Sequence, residues 1–132
     1  MRIMITDKQK KRTGSEGEDI ACDYLLGQGH AILERNWRSG HLEIDIISLD
    51  SKGIHFVEVK TRRPPYQALP QDSVTMPKQR NVAKAAGAYM RTARGRKVGD
   101  AEIWFDIVAV ILGGDGSRSV EYIPGAYTPI FI

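Results

Sequence analysis

The chain has 132 residues, of which 42% are hydrophobic, and this size and apolar share suit one domain with a substantial core. Lys and Arg number 19 against 16 for Asp and Glu, an excess too small to identify an acidic partner. One cysteine, Cys22, excludes an internal disulfide and a cysteine zinc site. Because no apolar run resembles a signal peptide or a membrane span, the sequence predicts a cytoplasmic protein with no membrane partner.

The start of the chain is polar and basic. Residues 1–13 are therefore predicted to form a flexible basic tail, and residues 14–132 a single domain. Between Glu16 and Gln28, apolar residues recur at the spacing of an amphipathic helix. Glu18 falls on the same stripe of that helix.

Three predicted strands follow, at residues 31–38, 42–49 and 54–61. Turn-forming residues separate them, which indicates an antiparallel meander. The proline-containing stretch 64–76 predicts a surface loop, because proline cannot join the interior of a sheet.

The second half of the chain predicts a helix and one or two further strands. After Pro77, apolar residues recur at helical spacing as far as Ala93. An apolar run at 104–112 predicts a strand covered on both faces, and a short strand is predicted at 119–123. The order α-β-β-β-α-β(-β) indicates an α/β domain in which helices cover a sheet.

Charged residues interrupt the second and third strands. Glu43 and Asp45 share one face of the second strand, and Glu58 and Lys60 share one face of the third. A two-residue turn at 51–52 would pair Asp45 with Glu58 and Glu43 with Lys60, whereas a three-residue loop with a bulge would shift the pairing by one. Like charges directly opposite one another destabilise a sheet by up to about 1 kcal/mol, so this pairing indicates a divalent cation.

Oxygen ligands favour Mg²⁺ or Mn²⁺ at such a site, and the chemistry they support is phosphodiester hydrolysis. Lys60 would hold the attacking water or offset charge on the phosphate. The alternative is a cluster of salt bridges that binds no metal. Glu18 is either an outer ligand or a carboxylate favoured by the helix dipole, and Glu43 is expected to pair with Lys60 or an arginine.

Other charged and titratable residues are assigned structural roles. Asp106, a lone acid in a buried strand, is expected to pair with an Arg or Lys such as Arg62. The three histidines His30, His41 and His55 show no metal-binding spacing and are not predicted to be ligands.

The charged hairpin belongs to a larger pattern. The segment 43–45, the segment 56–62 and the preceding segment 14–18 together resemble the YraN-like family, which is similar to the PD-(D/E)xK nucleases and, among these, to archaeal Holliday junction resolvases. The resemblance implies a restriction-endonuclease-like core, a mixed central β-sheet flanked by helices.

The resemblance also implies roles for individual residues. Asp45, Glu58 and the Val59 carbonyl are expected to bind Mg²⁺ or Mn²⁺, with Lys60 as the catalytic lysine. Glu18 would be an additional acidic residue of the site. Cutting both strands of a junction requires two sites, so a homodimer is an open alternative to a monomer.

A basic surface completes the functional hypothesis. The residues expected to bind nucleic acid, DNA in preference to RNA, are Arg62, Lys78, Arg80, Lys84 and Arg91. The first hypothesis is that the chain is a Mg²⁺-dependent endonuclease that acts on DNA, with branched DNA as one possible substrate. The alternatives are an inactive nucleic-acid-binding module on a nuclease fold and a partner-protein adaptor.

Overall fold

The computed structural model describes residues 7–63 and 74–129, and side chains from residue 14 onward. The elements, in chain order, are α1 (Asp7–Gly27), β1 (Ala31–Ser39), β2 (Leu42–Asp50), β3 (Gly53–Arg62), α2 (Met76–Met90), α3 (Ala93–Val98), β4 (Ile103–Leu112) and β5 (Arg118–Ile123).

The strands form one five-stranded sheet in the order β1-β2-β3-β4-β5. The strands β1, β2 and β3 make the predicted antiparallel meander, β4 runs parallel to β3, and β5 returns antiparallel to β4. The parallel step requires a crossover, which α2 and α3 provide. The predicted mixed α/β class and element order are confirmed, with the short helix α3 as an addition.

Helices cover both faces of the sheet. On one side, the core combines α1 with the sheet through Ala21, Cys22, Leu25, Ile46, Val57, Val108, Val110 and Leu112. On the other side, it combines α2 with the sheet through Ile44, Ile47, Ile54, Phe56, Ala85, Ala86, Tyr89 and Phe105. The buried strand β4 is interior to the sheet, as its apolar run predicts.

Several predicted boundaries differ from the structure. The helix α1 begins at Asp7 rather than at Glu16, because its first turns are polar and carry no apolar stripe that would mark them in the sequence. Residues 1–6 of the predicted tail lie outside the described residues. The predicted second helix ends at Met90 rather than at Ala93, because Thr92 caps a separate helix, α3, by accepting a hydrogen bond from the Gly95 amide at 3.1 Å.

The predicted loop at 64–76 lies mostly outside the described residues, which resume at Val74. Its last residue, Met76, already belongs to α2. The Thr75 hydroxyl caps this helix by accepting from the Lys78 amide at 3.5 Å, and Pro77 occupies the first turn, where its missing N–H costs nothing.

The register of the β2–β3 hairpin decides the geometry of the charged residues. The predicted register is confirmed from the Asp50–Gly53 pair to the Ile46–Val57 pair. The ladder ends there, so the predicted cross-strand pairs of Asp45 with Glu58 and of Glu43 with Lys60 do not form. Beyond this point β2 remains paired with β1, and β3 remains paired with β4.

Candidate functional site

A cavity of about 240 Å³ lies where the β2–β3 ladder ends. Its lining residues come from the β1–β2 turn, β2, β3 and the first turns of α2: His41, Leu42, Glu43, Ile44, Asp45, Val57, Glu58, Lys78, Asn81 and Val82. Because β2 and β3 no longer bond to each other here, polar side chains line the opening between them.

The Asp45 carboxylate is tied to β3. Its Oδ2 accepts a hydrogen bond from the Val59 amide at 2.8 Å, in place of a regular ladder contact. Burial raises the pKa of Asp45 to about 6; the Val59 hydrogen bond opposes this, and the nearby carboxylates of Glu18, Glu58 and Glu43 add to it. Asp45 therefore lies in a crowded, negatively charged position that favours a proton or a cation.

The two oxygens of the Glu58 carboxylate differ in their partners. Its Oε1 lies 2.5 Å from the Lys60 Nζ atom, with the two side chains 21% and 11% exposed respectively. Its Oε2 is buried and has no hydrogen-bond partner among the described residues. A buried carboxylate oxygen is stabilised by a hydrogen-bond donor or a cation, so this atom is a candidate ligand for a positively charged group.

Glu18 does not line the cavity, but it lies near Asp45 because α1 packs closely against β3. Gly17 is buried there, and a Cβ atom built on it would overlap the Thr61 side chain. This close approach brings Glu18 near enough for its charge to raise the pKa of Asp45. The structure thus gathers Glu18, Asp45, Glu58 and Lys60 in one region.

The predicted basic residues are distributed over two surfaces. Lys78 lines the cavity. Arg80, Lys84 and, just after the helix, Arg91 are exposed on another side of α2, away from its buried face. Arg62 is half-buried at the end of β3, and its guanidinium donates to the Thr61 carbonyl at 3.1 Å.

Asn81, His41 and Tyr127 are additional neighbours of the site. Asn81 follows Lys78 by one helical turn, and His41 occupies the β1–β2 turn. The Tyr127 hydroxyl is buried without a hydrogen-bond partner among the described residues, and burial followed by the Glu58 charge raises its pKa. The three-residue spacing between Lys78 and Asn81 is the sequence signal that could have identified Asn81. Only the fold brings His41 and Tyr127 to the site.

The predicted ion-pair partner is confirmed for Glu43 and wrong for Asp106. Glu43 pairs with Arg38 at 3.3 Å, which confirms the expected arginine partner. The expected pairing of Asp106 with a basic residue such as Arg62 is wrong. Asp106 instead accepts hydrogen bonds from the Tyr122 hydroxyl at 2.5 Å and the Gly125 amide at 2.8 Å, and contacts a histidine.

The histidine that contacts Asp106 is His55, which belongs to a buried cluster that the sequence did not reveal. One ligand atom from each of His30, Asp50 and His55 lies within 4.8 Å of the others, a spacing that can hold a metal ion. Burial and then the neighbouring His55 lower the pKa of His30. Burial lowers the pKa of His55 as well, but hydrogen bonds to Asp106 and Asp50 outweigh it and leave that pKa raised.

The fold and the site define the class: a mixed α/β domain with an acidic cavity between two strands of its central sheet. None of the helices described in the structure is both long and apolar enough to cross a bilayer. The profile of the uncharacterised protein family UPF0102 matches residues 17–110, and the chain belongs to that family. The predicted YraN-like membership is confirmed.

Relatives match along most of their length. A UPF0102 protein of Trichlorobacter lovleyi is 42% identical over 121 residues, which cover 91% of this chain and 93% of the relative. A UPF0102 protein of Geotalea uraniireducens is 43% identical over 117 residues, which cover 89% and 90%.

Among solved structures, Pyrococcus furiosus SfsA in complex with Ca²⁺ aligns with a TM-score of 0.40 at 16% identity. The alignment covers 85% of this chain and 62% of the SfsA chain, so this chain spans less than two thirds of that protein.

Proposed function

We propose that this chain is a divalent-metal-dependent endonuclease that hydrolyses phosphodiester bonds in DNA. The observation that carries the proposal is the meeting of Asp45 and Glu58 at a cavity, with one buried Glu58 oxygen uncompensated by any described group. A cation shared by the two carboxylates removes both the repulsion between them and the cost of the unpaired oxygen.

The residues present fit a hard divalent cation. Asp45, Glu58 and the Val59 carbonyl would hold it, and Glu18 would supply an outer carboxylate. Because all these donors are oxygens, Mg²⁺ or Mn²⁺ is favoured over zinc. When bound, such an ion polarises a substrate phosphate and lowers the pKa of a coordinated water.

The protein's own groups orient the two carboxylates. The Val59 amide holds one oxygen of Asp45, and the Lys60 ammonium holds one oxygen of Glu58. Each hydrogen bond restricts its carboxylate before any ligand binds. Lys60 also places a positive charge beside the site, where it offsets negative charge that develops on phosphate oxygens in the transition state.

Contacts to the nucleic acid would come from one basic side chain at the cavity and from others outside it. Lys78 lines the same cavity as Asp45 and Glu58 and would bind a phosphate next to the scissile one. Arg62 and the exposed set Arg80, Lys84 and Arg91 would bind phosphates further along the backbone. Such contacts recognise the shape of DNA more than its sequence, and for that reason we extend the proposal to branched DNA.

A cleavage assay tests the proposal. The full chain is incubated with a four-way junction, a linear duplex and a single strand in Mg²⁺, in Mn²⁺ and in chelator. We compare it with the double variant Asp45→Asn/Glu58→Gln and with Glu121→Gln, which removes an exposed carboxylate on β5 outside the site. Circular dichroism checks that each variant is folded.

We expect metal-dependent cleavage by the parent chain and by Glu121→Gln, and a loss of at least about 100-fold in the double variant. Equal cleavage by the double variant would assign the activity to a contaminant. A folded parent chain that binds Mg²⁺ or Mn²⁺ but cleaves none of the three DNAs would overturn the proposal.

A second candidate is a nucleic-acid-binding module that cleaves nothing. The observation that favours it is the exposed basic set on α2, which faces away from the cavity. This candidate predicts binding whose affinity falls steeply with salt and is unchanged by Asp45→Asn/Glu58→Gln.

A further inference from the structure

We infer a second metal site, in which His30, Asp50 and His55 bind a divalent transition-metal ion of the Zn²⁺ type. It is independent of the proposed nuclease site. The three residues come from separate places in the chain: the turn after α1, the end of β2 and the start of β3. Such an ion would join the α1–β1 connection to the β2–β3 hairpin.

Both imidazoles present the same nitrogen to one carboxylate. The His55 Nε2 atom lies 2.7 Å from the Asp50 Oδ1 atom, and the His30 Nε2 atom lies 3.3 Å from the Asp50 Oδ2 atom. The two rings have centroids 4.6 Å apart. The three candidate ligands therefore converge on one small volume.

The opposite nitrogen of each imidazole already has a partner. The His30 Nδ1 atom lies 2.9 Å from the Ser48 hydroxyl, and the His55 Nδ1 atom lies 2.6 Å from Asp106. Proteins orient metal-binding histidines in this way, with the non-ligating nitrogen bonded to a carboxylate or another polar group. The outer partners hold both Nε2 atoms toward Asp50.

Asp106 is itself rigidly held. It is fully buried, and the Tyr122 hydroxyl and the Gly125 amide donate to it. Its neighbour His55 is 2% exposed, whereas the Asp50 side chain is 15% exposed and gives the cluster access to solvent. The contacts of Asp106 therefore hold the His55 imidazole in its orientation before a metal ion binds.

The cluster lies apart from the acidic cavity. On β3, Val57 packs in the α1-side core and Phe56 in the α2-side core, so alternation places His55 and Glu58 on opposite faces of the strand. The two residues are also three positions apart along the strand, roughly 10 Å. One ion cannot occupy both places.

The donor set selects the class of ion. Two imidazoles with one carboxylate suit Zn²⁺ and related transition metals, whereas Mg²⁺ and Ca²⁺ prefer oxygen ligands alone. Three protein ligands leave a position for water or another small ligand. The cluster therefore differs in metal preference from the site formed by Asp45 and Glu58.

Metal titration of the full chain tests the inference. Protein stripped with chelator is titrated with Zn²⁺ in competition with a chromophoric chelator, and with Co²⁺ monitored by visible absorption. We expect one tight ion per chain in the parent protein, in Asp45→Asn and in His41→Gln, a control that removes an exposed histidine outside the cluster.

Asp50→Asn and His30→Gln should each weaken binding by more than the roughly 10–100-fold that loss of an outer partner costs, and Ser48→Ala should fall within that range. Failure of the folded parent chain to bind Zn²⁺, or parent-like affinity in both ligand variants, would overturn the inference. A loss of DNA cleavage would test only the proposed nuclease site at Asp45 and Glu58, not this metal site.

A measurement on the unaltered chain covers the case in which a variant does not fold. Nitrogen-15 NMR resolves the Nδ1 and Nε2 atoms of the three imidazoles. On adding Zn²⁺, we expect the Nε2 signals of His30 and His55 to shift together while those of His41 stay in place. A shift confined to His41, or none at all, would contradict the site.

Discussion

Gly17 of α1 lies so close to Thr61 of β3 that a Cβ atom built on Gly17 would overlap the Thr61 hydroxyl. The absence of a side chain lets the helix pack closely onto the sheet at β3. The neighbouring Glu18 is thereby placed within electrostatic reach of Asp45. The position of one carboxylate of the candidate site thus depends on one glycine.

Gly17→Ala should destabilise the protein by about 1–3 kcal/mol, because the added methyl group forces the helix and Thr61 apart. Gly14→Ala is the matched control: it lies in the same helix with nothing within 4 Å of its added Cβ. That change should stabilise the protein by about 0.5–1 kcal/mol through helix propensity. Urea unfolding measures both, and equal effects would contradict the close contact.

Asp45→Asn should stabilise the metal-free protein at neutral pH. The pKa of Asp45 is raised to about 6, so the stability it contributes is present below its unfolded value near 4 and is lost as pH rises through 6. The variant should gain up to about 3 kcal/mol above pH 7 and little at pH 4. Thermal unfolding in chelator across this range measures the difference, and a gain independent of pH would count against it.

With Mg²⁺ or Mn²⁺ added, the parent chain should become more stable than Asp45→Asn. A ligand that binds only the folded state stabilises it, so the parent chain should gain thermal stability with metal concentration. Asp45→Asn should not. Stabilisation of both proteins to the same extent would place the ion elsewhere.

Lys60→Met should reduce the cleavage rate by about 10²–10³-fold without weakening metal binding. The ammonium contacts Glu58 but is not a ligand, so its loss removes transition-state stabilisation, while both carboxylates stay available to bind the metal ion. Single-turnover kinetics and calorimetric metal titration separate the two effects. Parallel losses of cleavage and metal affinity would make Lys60 a structural partner of Glu58 instead.

Lys78→Gln should weaken DNA binding rather than slow the chemical step. It removes one predicted phosphate contact at the cavity, so the slope of log affinity against log salt should fall by about 1. Binding is measured in Ca²⁺ at several salt concentrations. An unchanged slope would show that Lys78 does not contact phosphate.

Cys22 should react slowly with a disulfide reagent in the native protein. It is 5% exposed, and burial raises the pKa of its thiol, which leaves little reactive thiolate at pH 8. Reaction with a chromogenic disulfide should occur only as α1 opens, and immediately after unfolding in guanidinium. Gly17→Ala should speed the native reaction, and rapid labelling of the parent chain would contradict the packing of α1.

The local elements could be predicted from the sequence because hydrophobic periodicity and turn residues are local properties. The three strands of the meander end within one residue of their predicted positions, and the hairpin register follows from the turn at Ser51 and Lys52. The first turns of α1 could not be predicted, since polar helix without an apolar stripe leaves no periodic signal.

The sequence by itself determined which charged residues interrupt the hairpin strands, since Asp45, Glu58 and Lys60 stand out in runs otherwise suited to burial. Only the tertiary structure decided how they meet: the β2–β3 ladder ends at Ile46 and Val57, so side chains line a cavity instead of pairing across strands. The His30, Asp50 and His55 cluster likewise depends on strand register and on α1 packing against the sheet. These contacts join residues distant in sequence, whereas a periodic pattern reports only which face of its own element a residue occupies.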